Sequence, residues 1–108
     1  MEANEIDTVL ANTNYTGMFF DFGFATKLAK AGRTVARKGW NGTGMFAFIV
    51  PANAYPIERN SNSPLKGMFK DDMVPYRAYW ALKTAQNDIA TWAPSGSDSL
   101  GKDWYVVK

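Results

Sequence analysis

The segment RTVARKGWNGTGMFAFIVP, residues 33–51, limits the fold more than any other stretch of this chain. Two runs, RTVARKGW and GMFAFIVP, carry β-branched and aromatic residues and are joined through Asn41, Gly42, Thr43 and Gly44. Asn-Gly is the strongest short hairpin signal, because both positions tolerate positive φ. The segment therefore predicts an antiparallel hairpin with NGTG at its tip. Pro51, which has no N–H to give to a ladder, ends the second strand.

The rest of the chain arranges itself around that hairpin. Phe22, Ala25, Leu28 and Ala29 recur at three- and four-residue spacing with Lys27 and Lys30 on another face, which predicts a short amphipathic helix. Asp21 supplies an N-cap oxygen and Gly32 a C-terminal stop. Residues 1–16 hold no sustained period and read as a polar arm, leaving 17–108 as one domain. From Ala52 to Tyr76, proline, glycine, asparagine and serine recur, which reads as a long excursion over the surface. RAYWALKTA and IATWAP flank QND as a second hairpin, and DWYVVK closes as a last strand. Ser95 with Asp98 three residues on predicts a capping-box start to a single helical turn. The expected class is α+β: one main N-terminal helix against a small antiparallel sheet, with a long surface loop.

Composition narrows the chemistry. The chain of 108 residues contains no cysteine and no histidine. That removes disulfides, thiolate nucleophiles, zinc–thiolate sites and the usual proton shuttle together. A net charge of +2 is too weak to argue for a nucleic-acid polymer. The opening MEANEIDTVLANTN is polar and acidic, with no basic leader and no long apolar run, so neither a signal peptide nor a membrane span is expected. The cytoplasm is the expected location. Aromatics reach 15%, more than a small core needs, and the excess suggests an interface or a ligand wall.

Carboxylates are then the only ordinary proton acceptors near neutral pH. Asp71 and Asp72 are adjacent and would point to opposite faces of a strand. Asp98 and Asp103 bracket the predicted helical turn, where capping is the simpler role. A carboxylate–Mg²⁺ enzyme is thus the minority reading, and neither a cofactor nor a metal site is expected. Binding is easier to build. Trp40 offers a π-face on which a purine can stack, or else it plugs the core under the hairpin. The N–H groups of Gly42 to Gly44 can approach phosphate oxygens closely, with Arg37, Lys38 or Lys83 supplying charge. Phe19, Phe20, Phe46 and Phe48 read as core, and Met45 as pocket lining or core. Of Trp80, Trp92 and Trp104, one or two are surplus to the core. Lys27, Lys30 and Arg33 read as a solvated face.

Two segments, FGFATKLAKAGRTVARKGWNGTGMF and LKTAQNDIATWAPSGSDSLGKDWYVV, resemble the opening and closing halves of the second Thoeris anti-defence family of phage proteins. The Gly-Trp-Asn-Gly-x-Gly-Met block, Gly39 to Met45, is the most specific part. The resemblance implies a sponge. Such proteins bind the cyclic ADP-ribose isomer made by Thoeris TIR-domain sensors and hold it intact, so the effector is never activated. It also implies homo-oligomers, commonly tetramers, with the ligand near a subunit interface, and in some members a separate site for cyclic oligonucleotides. Carried over by position, Trp40, Asn41, Gly42 and Met45 form the expected pocket, with Phe22, Lys83, Asp88 and Trp92 as companions. Three departures stand out: a longer arm before Phe19, the unmatched stretch from Ala52 to Tyr76, and Gly101 where a helix-favouring residue is expected. The remaining alternatives are a carboxylate–metal enzyme that degrades the same signal and a small single-stranded nucleic-acid binder.

Overall fold

In the computed structural model, which describes residues 18–108, the Asp21 carboxylate accepts the Phe24 N–H at 2.9 Å and starts helix α1, Phe22–Lys30. Its other end closes as a Schellman motif. Gly32, at φ +94°, donates to the Ala29 carbonyl at 3.0 Å, and Arg33 to that of Leu28 at 3.0 Å. A Cβ at Gly32 would meet nothing, so the glycine is required by its backbone angle and not by space. The predicted stripe is the buried one: Ala25, Leu28 and Ala29 face inward. The expected polar arm, 1–16, lies outside the described residues.

The described residues form two units, 18–49 with Trp80–Lys108, and Val50–Tyr79. The first carries a five-stranded sheet in the order β6-β5-β2-β1-β7, built from β1 Val35–Arg37, β2 Phe46–Val50, β5 Tyr79–Lys83, β6 Ile89–Thr91 and β7 Trp104–Val106. Strand β1 runs antiparallel to both β2 and β7, so Val35 stands opposite Ala47 on one side and Val106 on the other. Leu28 and Ala25 of α1 press on that row, and with Val35, Ala47 and Trp104 they make the fully buried core. Phe20 extends the β7 edge by a paired bridge to Trp104.

The first hairpin departs from expectation at its tip. Strand β1 ends at Arg37, and 38–45 form a broad loop in place of a tight Asn-Gly turn. The positive φ belongs to Gly44, at +72°, and not to Asn41 or Gly42. The cause lies across the sheet: Lys38 N–H donates to the Asp103 carbonyl at 3.1 Å and Gly39 N–H to the Asp103 carboxylate at 2.9 Å. Those bonds draw the chain toward β7 and away from the β2 ladder.

The second hairpin, β5–β6, closes as expected around a three-residue loop. Thr84 N–H donates to the Asp88 carbonyl at 2.8 Å, and Asn87 takes the left-handed position at φ 67°. Ser95 then caps α2, Gly96–Leu100, and the full capping box with Asp98 is present.

The stretch from Ala52 to Tyr76, expected as a loop, instead lies within an organised ribbon, Val50–Tyr79. Strands β3, Asn53–Pro56, and β4, Met73–Tyr76, pair antiparallel with Tyr55 opposite Val74. Pro56 and Pro75 are tolerated because a two-stranded ribbon has outward positions where no N–H is needed. A 3-10 turn, Lys70–Asp72, leads into β4, and Asp71 and Asp72 both adopt positive φ. Asp72 closes the turn by accepting the Gly67 N–H on its carboxylate at 2.8 Å. Neither aspartate lies on a strand.

Candidate functional site

Arg37, the last residue of β1, organises the site. Its Nε donates to Asp103 Oδ1 at 2.8 Å and its Nη1 to Asp98 Oδ1 at 3.0 Å. The guanidinium lies flat on the backbone at Gly101, where a Cβ would come within 2.8 Å of three of its atoms. Gly101 is therefore a close-approach glycine, which explains why a helix-favouring residue is absent there. Asp98 also accepts from the Trp40 indole Nε1 at 3.1 Å, while its main-chain carbonyl accepts the Trp104 indole Nε1 at 2.9 Å. One aspartate thus holds two tryptophans. Asp103 was expected as a cap; it instead anchors the loop after β1 through Gly39.

The electrostatics follow from these contacts. The Asp103 carboxyl is held below the usual carboxylate range, chiefly by the Arg37 hydrogen bond. Burial pushes the Asp98 carboxyl up, but hydrogen bonds from Ser95, Trp40 and Arg37 outweigh it and the net shift is downward. Asp103 and then Asp98 raise the Arg37 guanidinium. Two ionised carboxylates face one cation, so Arg37 brings no surplus positive charge to an anionic ligand.

The aromatic residues form a continuous cluster. Trp40 meets Trp92 edge-on at 5.9 Å and Trp104 at 5.3 Å, and Trp92 meets Trp80 at 5.4 Å. Phe22 stacks on Trp80 at 5.7 Å and leans on Trp104 at 5.1 Å. The half-buried Trp40 ring packs on the core and also borders a cleft.

That cleft, of about 530 Å³, opens beside the glycine loop. Its volume falls in the ~300–1,000 Å³ range of small-molecule sites. Arg37, Lys38, Trp40, Gly42, Gly44, Met45 and Phe46 line one part of it, and Tyr105, Val106 and Val107 of the last strand line the other. A Cβ at Gly42 would fall 2.0 Å from Met45 Sδ and 3.2 Å from the Ala85 methyl, so a side chain there would push the flexible Met45 out of its place in the cleft wall. Lys83 clasps the loop, donating Nζ to the Gly44 carbonyl at 3.0 Å with the Phe46 ring 5.9 Å away.

Of the residues singled out from sequence, Arg37, Trp40, Gly42 and Met45 line the cleft, and Lys83 braces its wall. Trp92 and Phe22 stand behind Trp40 in the aromatic cluster. Asp88 is bonded to Thr84 within its own hairpin, and exposed Asn41 sits in the loop; neither lines the cleft. Sequence reasoning missed Tyr105, Val106 and Val107 and assigned Phe46 to the core. The signal lies in the pairing of β7 with β1, which sets Tyr105 opposite Ala36 and brings the end of the last strand beside Arg37. Among the described residues, no three carboxylates converge as a metal site would require.

The family model described as the Thoeris anti-defense 2-like domain matches residues 20–107. The protein Thoeris anti-defense 2 of Bacillus phage SP01 is 34% identical over 92 residues, covering 80% of this chain and 92% of its own length. This chain belongs to the Thoeris anti-defense 2 family. The Thoeris anti-defense 2 match takes in α1, the whole cleft and the Val50–Tyr79 ribbon that no recognised motif covered. Among the described residues, no helix is long and apolar enough to cross a membrane.

Proposed function

We propose that this protein is a phage anti-defence sponge that binds a cyclic nucleotide immune signal, a glycocyclic ADP-ribose, and holds it without cleavage. Membership in the Thoeris anti-defense 2 family supports an anti-Thoeris function in phage infection. The observation that carries the ligand reading is the cleft bordered at once by the fixed Trp40 ring, the glycine loop and Lys38. A nucleobase or ribose lies on the indole, and the loop N–H groups approach the pyrophosphate. Lys38 supplies the charge, because Arg37 is already matched by Asp98 and Asp103. A signal of about 35 heavy atoms at about 0.3 kcal/mol per atom permits about −10 kcal/mol, or tens of nanomolar.

Sequestration needs affinity and no turnover. The carboxylates nearest the cleft, Asp98 and Asp103, are ionised and engaged by Arg37, which leaves them poor general bases. A cleft open to solvent encloses such a ligand fully when a second copy covers it, so the working form is a homo-oligomer, a tetramer in this reading, in the host cytoplasm. No nucleic-acid polymer is required. The test is to incubate the protein with glycocyclic ADP-ribose, denature it by heat and analyse the supernatant. Release of the intact signal in stoichiometric amount is expected, and a cleaved product contradicts the reading.

A further inference from the structure

Trp40 is anchored more firmly than a ring needs to be if it only fills space. Its Nε1–H reaches Asp98 Oδ1, the same oxygen that takes the Arg37 Nη1–H. The other carboxylate oxygen, Oδ2, accepts the Ser95 N–H at 3.0 Å, and the Asp98 N–H returns to Ser95 Oγ at 3.0 Å. Each oxygen is therefore held from a different direction, so the carboxylate cannot swivel. It is also the buried polar side chain among the described residues. Two edge-on neighbours, Trp92 and Trp104, block rotation of the indole from the sides.

From this geometry we infer that Asp98 is a positioning residue for ligand recognition, fixing the Trp40 ring in the cleft before any ligand arrives. The inference rests on the cleft being the ligand site. Its chemical consequence is specific. The one polar atom of the indole is spent inside the protein, so Trp40 presents only carbon and π-electrons to the cleft. The ligand group that lies there is one recognised by stacking, a flat base or a sugar face, and not one that needs a donor from Trp40. Because the ring is already ordered, binding does not have to order it.

The experiment pairs two readouts on the full chain. Indole ¹⁵N–¹H spectra of the unliganded protein report solvent exchange at Trp40 Nε1, and titration with glycocyclic ADP-ribose reports affinity. In the wild type the Trp40 N–H is protected. In Asp98→Ala the protection is lost and affinity falls about 3- to 10-fold, the cost of ordering one large side chain on binding. Asp98→Asn retains an acceptor oxygen for the indole and restores most of both. If Asp98→Ala does not fold, Trp40→Phe carries the test, because it keeps a ring with no N–H to anchor and must lose affinity by a similar factor. Unchanged affinity in a folded Asp98→Ala or Trp40→Phe protein overturns the inference, as does free exchange at Trp40 in the wild type. A wild type that takes up none of the probe overturns the sponge reading instead, while exchange still decides whether Asp98 holds the ring.

Discussion

Arg37 Nη1 and Trp40 Nε1 donate to the same atom, Asp98 Oδ1, at 3.0 and 3.1 Å. A cation and an indole thus share one carboxylate oxygen, and the loop between β1 and β2 is tied to α2 and β7 through side chains more than through a ladder. The loop's shape depends on charge pairing as well as on turn chemistry.

Gly101 is the first place to test that dependence. Replacing Gly by Ala at its φ of −67° should gain roughly 0.4–1 kcal/mol by restricting the unfolded chain. The Arg37 guanidinium at 2.8 Å opposes this, since it must leave two carboxylates to make room. Overpacking costs about 1–3 kcal/mol, so the net expectation is a loss of about 1 kcal/mol for Gly101→Ala in urea denaturation. In an Arg37→Ala background the same substitution should be neutral or stabilising. A loss of equal size in both backgrounds contradicts the packing assigned to Arg37.

Acid should loosen the same network. Asp98 and Asp103 both have folded pKa values below the ordinary one. Their contribution is complete above the unfolded Asp value of about 3.9 and is lost as the pH falls through the lower folded values. The urea midpoint should be flat from about pH 5 to 8 as far as these groups are concerned and drop below about pH 4. Asp103→Asn should lower the midpoint at neutral pH and weaken the acid dependence. An acid limb unchanged in that variant would assign it to other carboxylates.

Gly44→Ala separates the loop found from the turn expected. Gly44 has φ +72°, whereas Gly42 does not have positive φ. Forcing alanine into that region costs about 1 kcal/mol, and Lys83 loses the fixed carbonyl it clasps. A melting temperature lowered by several degrees is expected for Gly44→Ala. Equal stability to the wild type contradicts this backbone.

Much of the fold was legible because local rules and tertiary contacts agree. Asp21 caps α1, Gly32 ends it, Ser95 and Asp98 form their box, and Asn87 turns the second hairpin. The misreadings have one physical origin. Asn41-Gly42 carries a strong turn signal, yet Asp103, more than sixty residues away, overrides it with hydrogen bonds to Lys38 and Gly39. No local window contains that partner. The ribbon at Val50–Tyr79 was hidden for a related reason: prolines read as breakers unless the strands are known to be only two. At the site, Trp40, Gly42 and Met45 were readable from their block, while Tyr105, Val106 and Val107 required the pairing of β7 with β1.

Lys38 is exposed, lines the cleft and has its Nζ 5.6 Å from the Phe19 ring. If it meets the pyrophosphate, Lys38→Gln should weaken binding of glycocyclic ADP-ribose about 10-fold, a typical loss for one charge-assisted contact, and flatten its salt dependence. Folding should be unaffected. Arg37→Gln should instead lower stability, because that side chain serves Asp98 and Asp103, and should leave the salt dependence of binding unchanged.

Isothermal titration of the wild type and Trp40→Ala with glycocyclic ADP-ribose tests the main claim most directly. The wild type should bind with a dissociation constant in the tens of nanomolar. Trp40→Ala should remain folded, destabilised by roughly 2–3 kcal/mol for a half-buried ring, and give no measurable heat. A wild type that shows no heat at micromolar concentrations, or a Trp40→Ala protein that binds as tightly, contradicts the account.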